Sequence, residues 1–133
     1  MVKKTIILFL AGTAIFTACK KDDAPVTKTT AQKVLGKWSI NSIVSVEYNA
    51  GVGTPYTVPT TSTDYIDFRT DGKSYSSFES NKDTTTYKVI NNQSIVVDTD
   101  TAQITTLTDN SFILRVKHHE GTDSSIATFN LKK

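Results

Sequence analysis

Two imidazoles and a carboxylate stand side by side at His118-His119-Glu120, the one run in this chain with metal-ligating character. Zinc sites generally need three or four protein ligands, and the chain contains only 2 histidines. Adjacent residues of a strand point to opposite faces, so the two imidazoles would not converge on one ion. We therefore expect a solvated strand end at this position and no metal site.

Other catalytic patterns are equally weak. A Ser-His-Asp triad can be composed from the many Ser and Asp residues, but no strand-turn-helix nucleophile elbow accompanies it. Asp98 and Asp100 flank a turn and lack the Gly and Glu of a calcium-binding loop. The chain also has no glycine-rich phosphate loop. The sequence therefore predicts neither an enzyme nor a cofactor.

The single cysteine, Cys19, follows a segment with the order of an export signal. A basic start at Lys3-Lys4 precedes an apolar run over Thr5–Phe16, and Thr17-Ala18 adds small residues. The run is too short to span a bilayer core of roughly 30 Å, which needs about 20 apolar residues. We predict a signal peptide over Met1–Ala18.

The place of Cys19 resembles that in bacterial lipoprotein signals, where the cysteine becomes the first mature residue and carries acyl chains such as palmitate. Those signals prefer Leu three residues earlier, where this chain has Phe16. An ordinary signal peptide with a chance cysteine is the alternative. A lone cysteine in an exported protein has no intramolecular disulfide partner, however. The resemblance thus implies lipid attachment at Cys19 and a membrane as partner.

The residues after the cysteine bear on location. The run Lys20-Lys21-Asp22-Asp23 resembles the Lys-plus-acidic signal that sends lipoproteins of one large Gram-negative phylum to the cell surface. It implies an outer-membrane lipoprotein exposed at the surface, with a plain charged tether and the periplasmic face as alternatives. Residues 19–33 are polar and without periodicity, so we predict a flexible tether there.

Charge excludes one class of partner. The chain has 15 basic and 13 acidic residues, and loss of Lys3 and Lys4 with the signal leaves 13 of each. The mature side chains are formally neutral and carry no basic stripe, so no positive field attracts nucleic acid. Removing 18 of the 133 residues leaves 115, a length that predicts one domain, placed at residues 34–133.

Hydrophobic alternation predicts an all-β domain. Trp38, Ile40, Val44, Val46 and Tyr48 share one face of a first strand, with Ile43 as the exception. A loop then covers Asn49–Pro59, and Asp71-Gly72 predicts a two-residue type I′ turn that sets Phe68 opposite Tyr75. Further strands share faces through Phe112, Leu114 and Val116, and through Ala127, Phe129 and Leu131. Eight short strands with turns every 8–12 residues indicate an antiparallel up-and-down barrel.

Several segments resemble small bacterial lipocalin-like lipoprotein domains of the calycin type. Gly36-Lys37-Trp38 resembles the Gly-x-Trp that closes the base of a lipocalin barrel. Ile66–Gly72, Thr86–Val89 and Ile104–Asp109 resemble three later segments in the same order. The resemblance implies an eight-stranded lipocalin-like barrel. Lipocalins usually place an Arg over the tryptophan, and this chain departs from that pattern, with Lys132 and Lys133 as candidates to take its place.

Two functions follow from this interpretation. A barrel of eight strands is just wide enough to be filled by side chains or to hold one small ligand. The first hypothesis is therefore a membrane-anchored protein that binds a small apolar or amphipathic ligand near Trp38, Tyr75 and Tyr87. The second is an interaction module with a filled core that contacts protein or glycan through its loops, above all residues 49–63.

A short O-glycosylation motif is matched twice, at Asp83-Thr84-Thr85 and at Asp100-Thr101-Ala102. It predicts modification of Thr84 and Thr101 unless both matches are chance.

Overall fold

The computed structural model describes residues 25–121 and 123–133. The predicted signal peptide, Cys19 and the charged run after it lie outside these residues. Within the described chain, no helix is long and apolar enough to cross a membrane. The elements follow in the order α1 (Thr30–Val34), β1 (Gly36–Asn49), β2 (Val52–Val58), β3 (Tyr65–Phe68), β4 (Lys73–Phe78), β5 (Asn81–Asn91), β6 (Ser94–Val97), β7 (Asp100–Leu107), β8 (Ser111–Glu120) and β9 (Asp123–Lys132).

Eight of the strands form a closed antiparallel barrel, as the sequence predicts. Neighbouring strands pair in chain order from β3 to β9, and β1 pairs with both β3 and β9 to close the ring. Every pairing is antiparallel, which permits short connections between neighbours. The alternating residues of β8 and β9 take the faces expected of them: Phe112, Leu114 and Leu131 are buried inside.

β2 lies outside the barrel and corrects the prediction of a loop over Asn49–Pro59. It forms a hairpin with the second half of β1, from Asn49 opposite Val52 to Ile43 opposite Val58. Its Pro55 has no N–H, which suits an edge strand, since only a central strand needs donors on both sides. Gly53 leaves room for an aromatic ring, because a Cβ there would lie 2.8 Å from Cε1 of Tyr48.

A bulge in β1 corrects the predicted face of that strand. The register against β9 shifts between Ile40 and Ser42, and one extra residue reverses the facing of everything beyond it. Trp38 and Ile40 are buried as predicted, but after the bulge the buried residues are Ile43 and Ser45. Val44, Val46 and Tyr48, which the sequence placed inside, therefore take the opposite face.

The β3–β4 connection corrects a second register. It is a four-residue turn closed by the N–H of Gly72 donating to the carbonyl oxygen of Arg69 at 3.2 Å. Gly72 has a φ of +77°, whereas Asp71 has no positive φ, so the turn is not of type I′. Phe68 consequently pairs with Ser74 rather than Tyr75. Phe78 then faces inward and packs against the core.

Helix α1 shortens the predicted tether at its C-terminal end. Thr29 and Gln32 form a capping box, in which each side chain accepts a backbone N–H of the other residue. The helix buries Val34 completely against the barrel. The capping box and the burial of Val34 stabilise these five residues as a helix. A segment this short is too brief to show helical periodicity in the sequence.

The core is concentrated at the end of the barrel next to α1, which we call the base. Trp38, Phe68 and Phe112 are at most 1% exposed there. The ring centroids of Trp38 and Phe112 lie 5.3 Å apart, and those of Phe68 and Phe112 lie 6.0 Å apart. These separations fall in the range preferred by tilted aromatic pairs. Turns β4–β5, β6–β7 and β8–β9 lie at the other end, which we call the open end.

Candidate functional site

An apolar cavity of about 210 Å³ lies inside the barrel toward the open end. Eight of its ten lining residues are apolar, and they come from the inward faces of five strands. The lining consists of Ile66, Phe68, Val97, Asp100, Ala102, Leu114, Val116, His118, Ala127 and Phe129. Two of these residues are alanines, and their short side chains leave space where larger ones would fill the barrel.

The two polar lining residues form the mouth of the cavity. Asp100 begins β7 and His118 lies near the end of β8, and their side chains are 54% and 50% exposed. The His118 Nε2 atom lies 3.8 Å from the Asp100 Oδ2 atom, close enough for an ion pair when the imidazole is protonated but too far for a hydrogen bond. The cavity thus has an apolar body and a polar, solvated rim.

A polar groove continues from the mouth across the open end. His118 lines both the cavity and the groove, and Glu47, His119 and Asp123 contribute further charged or titratable groups to the groove wall. Glu47 accepts a hydrogen bond from the Tyr56 hydroxyl at 3.2 Å. A molecule whose apolar part occupies the cavity would place its polar end beside these side chains.

Trp38 lies in the filled base rather than in the cavity wall. It is 0% exposed, and its indole Nε1 donates to the carbonyl oxygen of Val34 at 2.7 Å. The Lys133 Nζ atom sits 4.4 Å from the centre of the indole ring and donates to the carbonyl oxygen of Leu35 at 3.0 Å. The basic residue over the tryptophan is thus Lys133, one of the two candidates that the sequence left open.

Tyr75 lies on the outer surface. The register of the β3–β4 turn places it opposite Asp67, its ring stacks 4.1 Å from the Arg69 guanidinium, and its hydroxyl donates to Asp71 at 3.1 Å. The Lys73 backbone N–H also donates to Asp71 and, as the main cause, lowers the pKa of that carboxyl below its ordinary value. Tyr75 therefore belongs to a surface cluster and does not face the cavity.

Tyr87 faces the interior, yet it does not line the cavity either. Its ring packs edge-on against Phe68 at 5.0 Å, and its hydroxyl donates to the carbonyl oxygen of Arg69 at 2.8 Å. Burial raises the pKa of the hydroxyl above its ordinary value. None of the three aromatic residues predicted to contact ligand is therefore in the cavity wall, and their role in binding stays an untested prediction.

The imidazole pair behaves as strand geometry predicts. Inside the pairing of β8 with β9, His118 lies opposite Ser125 and His119 opposite Ser124, so the two side chains leave the strand on opposite faces. Among the described side chains, which do not include that of Glu120, no three His, Cys, Asp or Glu are grouped to hold a metal ion.

The two predicted glycosylation sites lie on the protein surface. Thr84 in β5 and Thr101 in β7 are both exposed, and the Thr84 backbone N–H donates to the Asp83 carboxylate at 2.7 Å. Exposure leaves both hydroxyls accessible to an enzyme, while their modification stays a prediction.

Asp64 is a buried carboxylate that the sequence did not single out. It is 1% exposed, and it accepts backbone N–H groups of Thr61 at 2.7 Å and Glu79 at 3.2 Å. These bonds pin the β2–β3 connection to the β4–β5 turn, so the carboxylate holds loops together. The sequence predicted a ligand cavity as one of two hypotheses but missed its lining, whose signal was the pair of inward alanines, Ala102 and Ala127.

No protein-family model matches the chain, and no curated protein is significantly similar to it.

Proposed function

We propose that this protein is a membrane-anchored, lipocalin-like lipoprotein that binds a small apolar or amphipathic ligand in the barrel cavity. The observation that carries the proposal is the cavity, which combines an apolar body with a two-residue polar mouth formed by Asp100 and His118. Pockets of this composition, with a few polar groups that orient the ligand, are typical of small-molecule sites. The proposed role is binding without catalysis.

The volume of the cavity limits what fits. An engineered apolar cavity of about 150 Å³ binds benzene, which corresponds to roughly 25 Å³ for each carbon atom. At that ratio, the 210 Å³ of this cavity takes roughly eight carbon atoms. A single substituted ring or a short alkyl chain is therefore the expected size of the apolar part.

The base supports a relationship to lipocalins. Gly36 precedes Trp38 at the head of β1, and Lys133 at the end of the chain covers the indole ring. This arrangement combines the Gly-x-Trp motif with a lysine in the place where lipocalins usually have an Arg. The eight-stranded antiparallel barrel is compatible with a calycin-like fold.

Attachment at Cys19 is compatible with a free mouth. Lys28 pairs with Asp109 in the β7–β8 turn at 2.9 Å, so the chain enters the domain at the base, away from the cavity opening. We propose that lipid on Cys19 holds the domain at the outer membrane, with the surface-exposed leaflet as the proposed side. Cys19→Ala should release the protein from washed membranes, and membrane retention of a normally processed variant would contradict the anchor.

The binding proposal is tested by filling the cavity. Ala127→Leu adds three carbon atoms to the cavity wall and should abolish binding of 1-octanol, measured by isothermal titration calorimetry. Thr128→Leu is the matched control, because Thr128 is the next residue and faces outward between Arg115 and Val44. Octanol binding that survives Ala127→Leu, or that is absent from the unaltered protein, would contradict the proposal.

One observation favours the second candidate, an interaction module. β2 has an unpaired outer edge in the described chain, and Val52 and Tyr56 on it are 70% and 46% exposed. An edge of this kind can accept a further strand from a partner. Tyr56→Lys should then weaken capture of a partner from the host. Tyr75→Lys should not, because Tyr75 lies on the outer surface of β4, a strand that is already paired on both sides.

A further inference from the structure

We propose that the polar end of the ligand carries a positive charge, so that the preferred class is a small alkyl or aryl amine in its ammonium form. The inference rests on the proposed function, because it assigns a head group to the molecule that occupies the cavity. The juxtaposition that carries it is the Asp100 carboxylate at the mouth of an apolar cavity sized for roughly eight carbon atoms.

Asp100 is placed to meet a ligand rather than to stabilise the fold. It lines the cavity, and its side chain is 54% exposed. Within the described residues its one ion-pair partner is His118, at 3.8 Å, which is longer than a hydrogen bond. The carboxylate oxygens therefore retain acceptor capacity toward the space that the head group of a ligand would occupy.

The groove beyond the mouth carries negative charge, as Asp100 does. Its lining includes the Glu47 and Asp123 carboxylates, and no Lys or Arg occurs among the described residues that line the cavity or the groove. His118 and His119 are the remaining titratable groups there. A carboxylate ligand such as a short fatty acid would meet three like charges, whereas an ammonium group would meet three opposite ones.

The apolar part of the ligand must be short. Phe68 and Leu114 limit the depth of the cavity, because both side chains also pack into the filled base. An octyl chain matches the volume, and its head group would then emerge beside Asp100. Octylamine, 1-octanol and octanoate share this chain and differ only in head-group charge, so they separate the contribution of charge from that of apolar burial.

The test measures affinities of the three octyl probes by isothermal titration calorimetry at low ionic strength. Octylammonium should bind about tenfold more tightly than octanoate, with octanol between them. Asp100→Asn should weaken octylammonium binding about fivefold to tenfold and leave octanol binding within about twofold. Asp100→Ser provides a second variant if the Asn variant does not fold.

Asp98→Asn is the matched control. It removes the same charge two residues away in the β6–β7 turn, Asp98 does not line the cavity, and Asn tolerates its φ of +57°. If both the Asp98 and the Asp100 variant lost the same amount of octylammonium affinity, the loss would come from the net charge of the protein, and the inference would be overturned.

The outcomes separate this inference from the proposed function. Octanol binding without preference for octylammonium over octanoate would overturn the charged head group and leave the cavity as a binding site. Failure of all three probes to bind would contradict the cavity as a ligand site, and the inference would fall with it.

Discussion

The two ends of this barrel are built from the same strands, but the base is filled with side chains and the open end contains a cavity. At the base, Trp38, Phe112 and Leu131 fill the interior to at most 1% exposure, and α1 covers them. Toward the open end, the same β8 and β9 contribute Val116 and Ala127 to the wall of a cavity. The difference lies in side-chain volume, since the backbone pairing continues without interruption along both strands. Stability is thus expected to reside at the base and ligand recognition at the open end.

Removing one phenylalanine from each half gives the largest expected difference. Phe112 is 0% exposed and packs against Trp38 and Phe68, so Phe112→Ala should lower the free energy of unfolding by about 3–5 kcal/mol. Phe129 is only partly buried and lines the cavity, so Phe129→Ala should cost about half as much, because fewer contacts are lost. Urea denaturation followed by circular dichroism measures both, and equal costs would contradict the division into two halves.

The lysine over the indole offers a smaller effect at the base. Lys133→Ala removes a cation–π contact and a hydrogen bond to Leu35, and we expect a loss of about 1 kcal/mol. Lys132→Ala is the control, since Lys132 is exposed in β9 and points away from the interior. The emission of Trp38, the only tryptophan, should also shift in the Lys133 variant. An unchanged midpoint and emission would show that the contact does not stabilise the base.

Tyr87 lies between the two halves and should respond to high pH. Its pKa is raised by burial from an ordinary value of 10.0, so the protonated hydroxyl is favoured by folding. The contribution to stability is fully present below pH 10 and is lost as the pH rises through the raised pKa. Tyr87→Phe should remove this alkaline loss and cost about 0.5–1 kcal/mol at neutral pH, through the bond to Arg69. An alkaline profile shared by wild type and variant would contradict this assignment.

The smallest effect concerns the entry of the chain at the base. The hydrogen bond from Lys28 lowers the pKa of Asp109 below its ordinary value of 3.8. The contribution of the pair is present above pH 3.8 and is lost as the pH falls through the lowered pKa. NMR titration should show the Asp109 pKa returning toward 3.8 in Lys28→Ala. An Asp109 titration that is identical in both proteins would remove this contact between the N-terminal segment and the base.

The parts of the fold that the sequence predicted are those with uninterrupted alternation. β8 and β9 contain no bulge between Phe112 and His118, so period two located their inner faces correctly. In β1 a single extra residue near Asn41 inverted the pattern. Ile43, the apolar residue that did not fit the alternation, was the visible sign of that bulge. β2 was missed because Gly53 and Pro55 indicate a loop, although here the glycine makes room for Tyr48 and the proline occupies an edge strand.

The candidate site was harder to predict, because a cavity is made by what side chains do not fill. The sequence favoured large aromatic residues as ligand contacts, and the register placed Tyr75 outside and Trp38 in the base. The cavity depends on Ala102 and Ala127, which both pair with Val116 of β8, one from each side. This relation can be seen only once the pairing of the strands is known. The sequence drew attention to Asp100 for its spacing from Asp98 and for its place in a glycosylation motif, and its position at the mouth follows from the β6–β7 turn.

The central claim is that the barrel is filled at one end and empty at the other, and a crystal of the protein pressurised with xenon tests it directly. Dry apolar cavities of about 150 Å³ bind xenon, whereas close-packed cores do not admit it. We predict a xenon peak between Phe68 and Phe129 and none between Trp38 and Phe112. A barrel without xenon in the cavity toward the open end, or with xenon at the base, would contradict the account.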